Sequence, residues 1–224
     1  MIFSEIYEKA NGYALIAKDF YDLKRYKDSL NSIILAISLF NNESFNFNQG
    51  LILSSLKHKS AWEEFKKVYL LSFRQDLEAF FCMGITRFHL GHYKIALNVF
   101  QKVQKRDLNY EPCYCAKIAV YIKMSYYESA KKIFYLAQNL NQDCQLCFYN
   151  IACVALLEER YDQAIHCWEK ILSYPELIKE LNFYKIKSLI ETASLLKRGS
   201  LWLSLKEKRN LFFPLIQLPP WRTT

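Results

Sequence analysis

The stretch LEAFFCMGITRFHLGHYKIALNVFQKVQKRDLNY (77–110), EPCYCAKIAVYIKMSYYESAKKIFYLAQNLNQDC (111–144), QLCFYNIACVALLEERYDQAIHCWEKILSYPELI (145–178) repeats one pattern three times. Tyr93, Tyr127 and Tyr161 stand 34 residues apart. Ala96, Ala130 and Ala164 keep that step, as do the aromatics Phe100, Phe134 and Trp168. Ahead of each set Phe80, Tyr114 and Phe148 fall in register, followed by Met83 with Gly84, Lys117 with Ile118, and Ile151 with Ala152. A fixed period of this length marks an array of small units, each too small to bury its apolar face alone and so obliged to stack on its neighbours.

Within a unit the apolar positions have helical spacing. Phe80, Met83 and Gly84, with Phe88 close by, recur at i, i+3, i+4 and beyond, and Ala96, Phe100 and Val103 at i, i+4, i+7. Leu90-Gly91-His92 between them suits a tight helix–helix turn. The small residues Gly84 with Ala96, and Ala152 with Ala164, are expected to face each other and let the helices approach. An aromatic, a small residue, then Tyr, Ala and Phe on a 34-residue period resembles the tetratricopeptide repeat (TPR) family. The resemblance implies an all-α, right-handed superhelical solenoid of antiparallel helix pairs.

Toward the N-terminus the pattern begins at Ala10. Tyr13, Ile16, Ala17 and Phe20 read as a first helix, and Tyr26, Ser29, Ile33 and Ala36 as a second. Tyr26 precedes Tyr93 by 67 residues, one short of two periods, so a slip lies between. It is expected in a degenerate unit, 42–76, where Phe45, Phe47, Leu51 and Leu53 make an irregular first helix and Ala61, Phe65 and Val68 keep the second-helix spacing. Ser44 and Ser60 are acceptable N-cap residues. The expected array, 1–178, thus has about five units: 10–43, 42–76, 77–110, 111–144 and 145–178. Residues 179–199 form a C-terminal capping helix on the stripe Phe183, Ile186, Ile190 and Ala193, with Leu189 and Leu196 beside it and Gly199 as its C-cap. In 200–224, Trp202, Leu203 and Leu205 among Lys206, Lys208 and Arg209 suggest a short amphipathic helix. Leu211 to Trp221 carries no charge and contains Pro214, Pro219 and Pro220, so it should be extended and docked rather than free, on this chain or across a homodimer.

Composition sets bounds. Of 224 residues, 52% are hydrophobic and 16% aromatic, ample for a continuous core, while five glycines and five prolines argue against long loops. The net charge of +8 is spread in pairs with one denser run, Lys102 to Arg106, which reads as solvated helix faces rather than a nucleic-acid stripe. No apolar run is long enough to span a bilayer, and Glu5 and Glu8 argue against a signal peptide. Seven cysteines, an odd number, fit reduced thiols in the cytoplasm.

Chemistry-bearing constellations are weak. There is no phosphate-cradling glycine loop and no GxSxG elbow, and His166-Cys167 is only a sequence neighbourhood. Cys113-x-Cys115 with Cys144-x-x-Cys147 is the one arrangement with metal-ligand spacing. In the repeat frame Cys113 and Cys147 occupy equivalent positions, so those two are expected near one rim. Buried structural thiols are the simpler reading, and the expectation is of no enzyme, no cofactor and no metal.

The family resemblance implies that ligand contacts come from the first helix of each unit. Carried over, the positions are Phe81, Ile85, Phe88 and His89; Cys115, Ala119, Ile122 and Lys123; and Tyr149, Cys153, Leu156 and Leu157. The cationic carboxylate clamp of chaperone-binding members is missing from them, which leaves an apolar groove suited to a peptide or helix of a protein partner. The stretch from Asp76 to Leu140, and the segment from Pro175 to Lys197, are also similar to type III secretion chaperones for hydrophobic translocators. That similarity implies a cytosolic chaperone as the alternative role.

Overall fold

In a computed structural model the described residues are 2–173, 183–212, 214–216 and 218–223. The end of the fifth expected unit, with Pro175 and Glu176, the side chain of Phe183, and Phe213 lie outside them. Twelve helices are found among the described residues. They are α1 (Ile2–Asp22), α2 (Tyr26–Leu39), α3 (Glu43–Ser55), α4 (Ala61–Leu71), α5 (Leu77–His89), α6 (Tyr93–Arg106), α7 (Pro112–Lys123), α8 (Tyr127–Leu140), α9 (Gln145–Leu157), α10 (Tyr161–Leu172), α11 (Phe183–Lys197) and α12 (Leu205–Asn210). They follow one another as sequential antiparallel pairs: α1 packs on α2, α3 on α4, α5 on α6, α7 on α8 and α9 on α10. The chain falls into two compact units, one from the N-terminus to Arg106 together with the segment from Leu218, the other from Asp107 to Gln217.

One backbone device makes every hairpin. Lys24, Lys57, Gly91, Ser125 and Glu159 all have positive φ, between 53° and 78°. At each, two hydrogen bonds close the helix end: His92 N donates to Arg87 O and Gly91 N to Phe88 O, and likewise Arg160 N to Ala155 O and Glu159 N to Leu156 O. This is the Schellman closure, in which a left-handed residue satisfies carbonyls that the helix cannot. Only Gly91 offers the glycine signal for it. Gly199 (φ 70°) ends α11 in the same way, as its sequence position suggested.

In the first unit the interior is built on glycines covered by rings. A Cβ on Gly84 would meet Phe100 Cε1 at 2.4 Å, and one on Gly50 would meet the same atom of Phe65 at 2.7 Å. Gly84 therefore leaves room for the ring of Phe100. Gly50 is one period before Gly84, and α3, expected to be irregular, is a regular helix. The one-residue shortfall arises between Lys24 and Lys57, which are 33 apart; a further residue is lost in the α3–α4 turn and regained before Gly84. The cap of α3 is Asn42, whose side chain accepts from Phe45 N at 2.8 Å, in place of Ser44, and Ser60 makes no capping hydrogen bond with its side chain. At the N-terminus Ala10, Ala14 and Ala17 face α2, where Ser29 Oγ donates to Ala17 O at 2.7 Å, while Ile16 points outward.

In the second unit Ile118, Ala152, Ala130, Ala164, Phe134 and Trp168 form one core with Phe148, whose ring meets that of Phe134 edge-on at 5.4 Å between centroids. Ile186, Leu189, Ala193 and Leu196 of α11 join it, and α11 packs on α10. The short helix α12 starts later than the sequence suggests, at Leu205, and is capped by Ser204, whose hydroxyl accepts from Glu207 N while the Glu207 carboxylate accepts from Ser204 N. This capping box leaves Trp202 outside the helix and 81% exposed.

Candidate functional site

The first helices of the two units carry the expected ligand positions. On α5, Phe81, Ile85 and Phe88 are buried and His89 is half-buried. Burial holds the His89 imidazole below its ordinary value, and its Nδ1 lies 3.5 Å from Ser54 Oγ. On α7, Cys115, Ala119 and Ile122 are buried and Lys123 half-buried; on α9, Tyr149, Cys153, Leu156 and Leu157 are all buried. These side chains therefore belong to the cores of their units. Part of their cover is the chain's own tail: Leu211, Phe212 and Leu215 pack in the cluster that holds Cys115, Ile122, Tyr149, Cys153, Leu156 and Leu157. Ile122, Lys123 and Leu157 meet Phe212 and Pro214 around a small cavity of about 70 Å³.

What holds the tail is its backbone. In the second unit Asn150 of α9 receives the Leu215 N–H on Oδ1 at 2.8 Å and donates from Nδ2 to Leu215 O at 2.9 Å. In the first unit Asn48 of α3 does the same to Arg222, at 2.9 Å from its N–H and 2.8 Å to its carbonyl. A primary amide offers one acceptor and two donors, so it can serve both groups of one extended residue as a neighbouring strand would. Asn48 and Asn150 are three 34-residue periods apart and both fully buried, an unusual position for asparagine. The family-derived positions pass over this register. An asparagine at the same register of α3 and α9, where the two first helices between them have Cys82 and Ala116, is the signal in the sequence that points to it.

Side chains add to the hold. The Arg222 guanidinium sits over the Phe47 ring at 3.5 Å from its centroid, and pairs with Asp76 at 2.6 Å and Glu78 at 2.9 Å. Asp76 also caps α5 by accepting from Ala79 N. Burial works against its charge, but the Arg222 and Ala79 hydrogen bonds outweigh it and hold the carboxyl below its ordinary value. Trp221 packs on Tyr21, with centroids 5.5 Å apart. In the second unit Lys208, expected on a solvated face, is buried; its ammonium reaches Glu159 at 2.8 Å and Tyr161 Oη at 3.2 Å. Arg209 donates to Ser125 Oγ and Tyr127 Oη.

His166 and Cys167 border a cleft of about 360 Å³ on the α8–α10 side of the second unit, with Tyr135 and Arg160. Among the cysteines, Cys115 and not Cys113 meets Cys144 and Cys147. Equivalent positions on successive first helices point the same way; the residue two places on, about 200° round the helix, is the one that faces the neighbour. Cys113 is buried outside this group, and burial pushes its thiol up to about 12.

Several solved structures share this arrangement of helices. TTC0263, a thermophilic TPR protein of Thermus thermophilus, is similar at 18% identity and a TM-score of 0.69, over 83% of this chain and 99% of that one. A tetratricopeptide repeat protein of Parabacteroides merdae ATCC 43184 is similar at 15% identity and a TM-score of 0.73, over 81% and 70%. MamA of Desulfovibrio magneticus RS-1 is similar at 17% and 0.56, over 77% and 98%. No protein-family model matches the chain, and no curated protein does. The chain has the fold of tetratricopeptide-repeat proteins. No helix among the described residues is long and apolar enough to cross a membrane.

Proposed function

We propose that this protein is a non-enzymatic interaction module of the cytoplasm that binds an extended, apolar segment of a partner protein along its first helices. The carrying observation is the pair of amide clamps, Asn48 on Arg222 and Asn150 on Leu215, each serving both backbone groups of one residue. Backbone hydrogen bonds give affinity whatever the sequence, and pockets for flanking side chains supply selectivity. The residues around the Asn150 clamp are the apolar set Ile122, Tyr149, Leu156 and Leu157, with Lys123 at the edge. The tail is then a resident ligand that a better-fitting partner segment displaces. A chaperone for apolar secretion substrates is one such use, favoured by the apolar character of Leu211, Phe212, Leu215 and Ile216.

The test uses the chain ended at Asn210 and a synthetic peptide of residues 211–223. The shortened, folded protein should bind the peptide, and Asn150→Ala should weaken that binding without loss of helix content. Phe81 and Leu156 are too deeply buried to serve as probes, since charging them would report on folding. A shortened protein that keeps its circular dichroism yet binds no peptide would sink the reading.

A further inference from the structure

The second unit contains a cluster that the interaction role leaves unused. Cys115 Sγ lies 2.7 Å from Cys147 Sγ and 3.0 Å from Cys144 Sγ, and the last two are 2.6 Å apart. All three side chains are buried: Cys115 is 4% exposed, Cys144 7% and Cys147 1%. Three atoms that can each donate one metal bond thus converge on one point. The distances exceed the ~2.05 Å of a disulfide, and a disulfide would in any case engage two sulfurs and leave the third unexplained. They are shorter than the edges of about 3.8 Å that three thiolates adopt around a metal with ~2.3 Å bonds, so loading requires the sulfurs to part by roughly 1 Å.

The local structure prepares these atoms. Cys144 is the N-cap residue of α9 and Cys147 lies in its first turn, the C-x-x-C spacing that lets two sulfurs grip one ion. Cys115 comes from the first turns of α7, which packs directly on α9. An oxygen that could complete the set lies at the start of α7. Glu111, the N-cap residue of α7, lies on the Cys144 side of the cluster, outside the 4.8 Å within which the three sulfurs converge. Asn141 Nδ2 donates to both its oxygens at 3.0 Å, the outer-shell orientation that ligating carboxylates commonly have.

We propose that Cys115, Cys144 and Cys147 form a structural site for zinc, the fourth position being filled by the Glu111 carboxylate once it closes on the sulfurs, with Asn141 orienting it. Three soft sulfur donors select a thiophilic ion over magnesium or calcium, which take oxygen. The four donors come from α7, α9 and the turns before them, so the ion ties together the first helices of two consecutive repeats. Each ligating thiol gives its proton to solvent on binding, and the energy of the bonds adds to that of folding. The sulfurs share their core cluster with the docked tail, but the proposal does not rest on partner binding and its test reads metal uptake alone.

The experiment is a cobalt(II) titration of the full chain, reduced and stripped with chelator, followed by displacement with zinc. One equivalent should give sulfur-to-cobalt charge-transfer absorption in the near ultraviolet and d–d bands in the visible. Zinc should abolish both, protect three of the seven cysteines from alkylation and raise the melting temperature. Cys147→Ser should lose the charge-transfer spectrum, whereas Cys113→Ser, equally buried but outside the cluster, should keep it. Asn141→Ala should weaken binding about 10- to 100-fold, as outer-shell changes do. Because Cys147→Ser also places a hydroxyl in the core, the decisive readout is the unaltered protein: folded by circular dichroism but with no charge-transfer band, it overturns the proposal. Uptake that survives in a folded Cys115→Ser/Cys147→Ser double variant overturns it too, as does a Cys144–Cys147 disulfide that, once reduced, still leaves the protein unable to take up cobalt.

Discussion

At Gly84 a single hydrogen decides how two helices meet. A methyl there would stand 2.4 Å from the Phe100 ring, which is itself fully buried. Gly84→Ala should therefore cost about 1–3 kcal/mol as an overpacking change, and Gly50→Ala should do likewise against Phe65. Gly12 is the control: nothing lies within 4 Å of its would-be Cβ, so Gly12→Ala should be neutral or stabilise α1 by up to about 1 kcal/mol. Urea unfolding of the three variants checks the contrast, and equal effects at Gly84 and Gly12 would refute the ring-over-glycine contact. Gly84 is legible in the sequence from its place in the repeat. Gly50 occupies the same place, but the altered length of the α3–α4 turn displaces Phe65 from its expected partner position and hides the match.

At the level of the element, the repeating unit is a helix, a left-handed residue and a helix. Most of the left-handed positions hold side chains that dislike them, a penalty of about 1–2 kcal/mol for an L-residue. Lys24→Gly should thus stabilise the α1–α2 hairpin by about 1 kcal/mol, less the cost of glycine's freedom in the unfolded chain, and Gly91→Ala should destabilise the α5–α6 hairpin by a similar amount. Thermal melts of both variants would show shifts of opposite sign; shifts of the same sign would contradict the shared turn geometry. Helix and turn are legible because both are local: apolar spacing within a few residues sets the buried face, and a break must follow. The turn residues themselves are not legible at Lys24, Lys57, Ser125 and Glu159, since closure of the helix end there overrides residue preference.

For the molecule as a whole, the tail is the element whose place matters most. Deleting residues from Leu211 onward should bare the apolar side chains around Ile122 and Leu157 and raise binding of a hydrophobic dye; a dye-silent truncated protein would mean that the tail screens nothing. The hold on Arg222 should also depend on pH. Asp76 has a folded value below its ordinary one, so its contribution is fully present above about pH 4 and is lost as pH falls through the lowered value. Tail docking in the first unit should accordingly loosen in acid, seen as sharpening of a fluorine label on Trp221. Asp76→Asn should remove most of that pH dependence, and Arg222→Ala should free the segment even at neutral pH. A label that is insensitive to all three changes would contradict the ion pair.

The 34-residue period, the pairing of helices and the apolar character of the first helices are written in the chain itself, because each depends on residues a few positions apart or on an exact repeat of them. So is the tail's character as apolar, stiff and bound to dock. Where it docks is a matter of packing: Asn150 meets Leu215 across 65 residues and Asn48 meets Arg222 across 174, and no local pattern encodes such contacts. The same holds for the sulfur cluster. Which of Cys113 and Cys115 joins Cys144 and Cys147 depends on the rotation of α7 against α9, a property of two packed helices and of neither one alone.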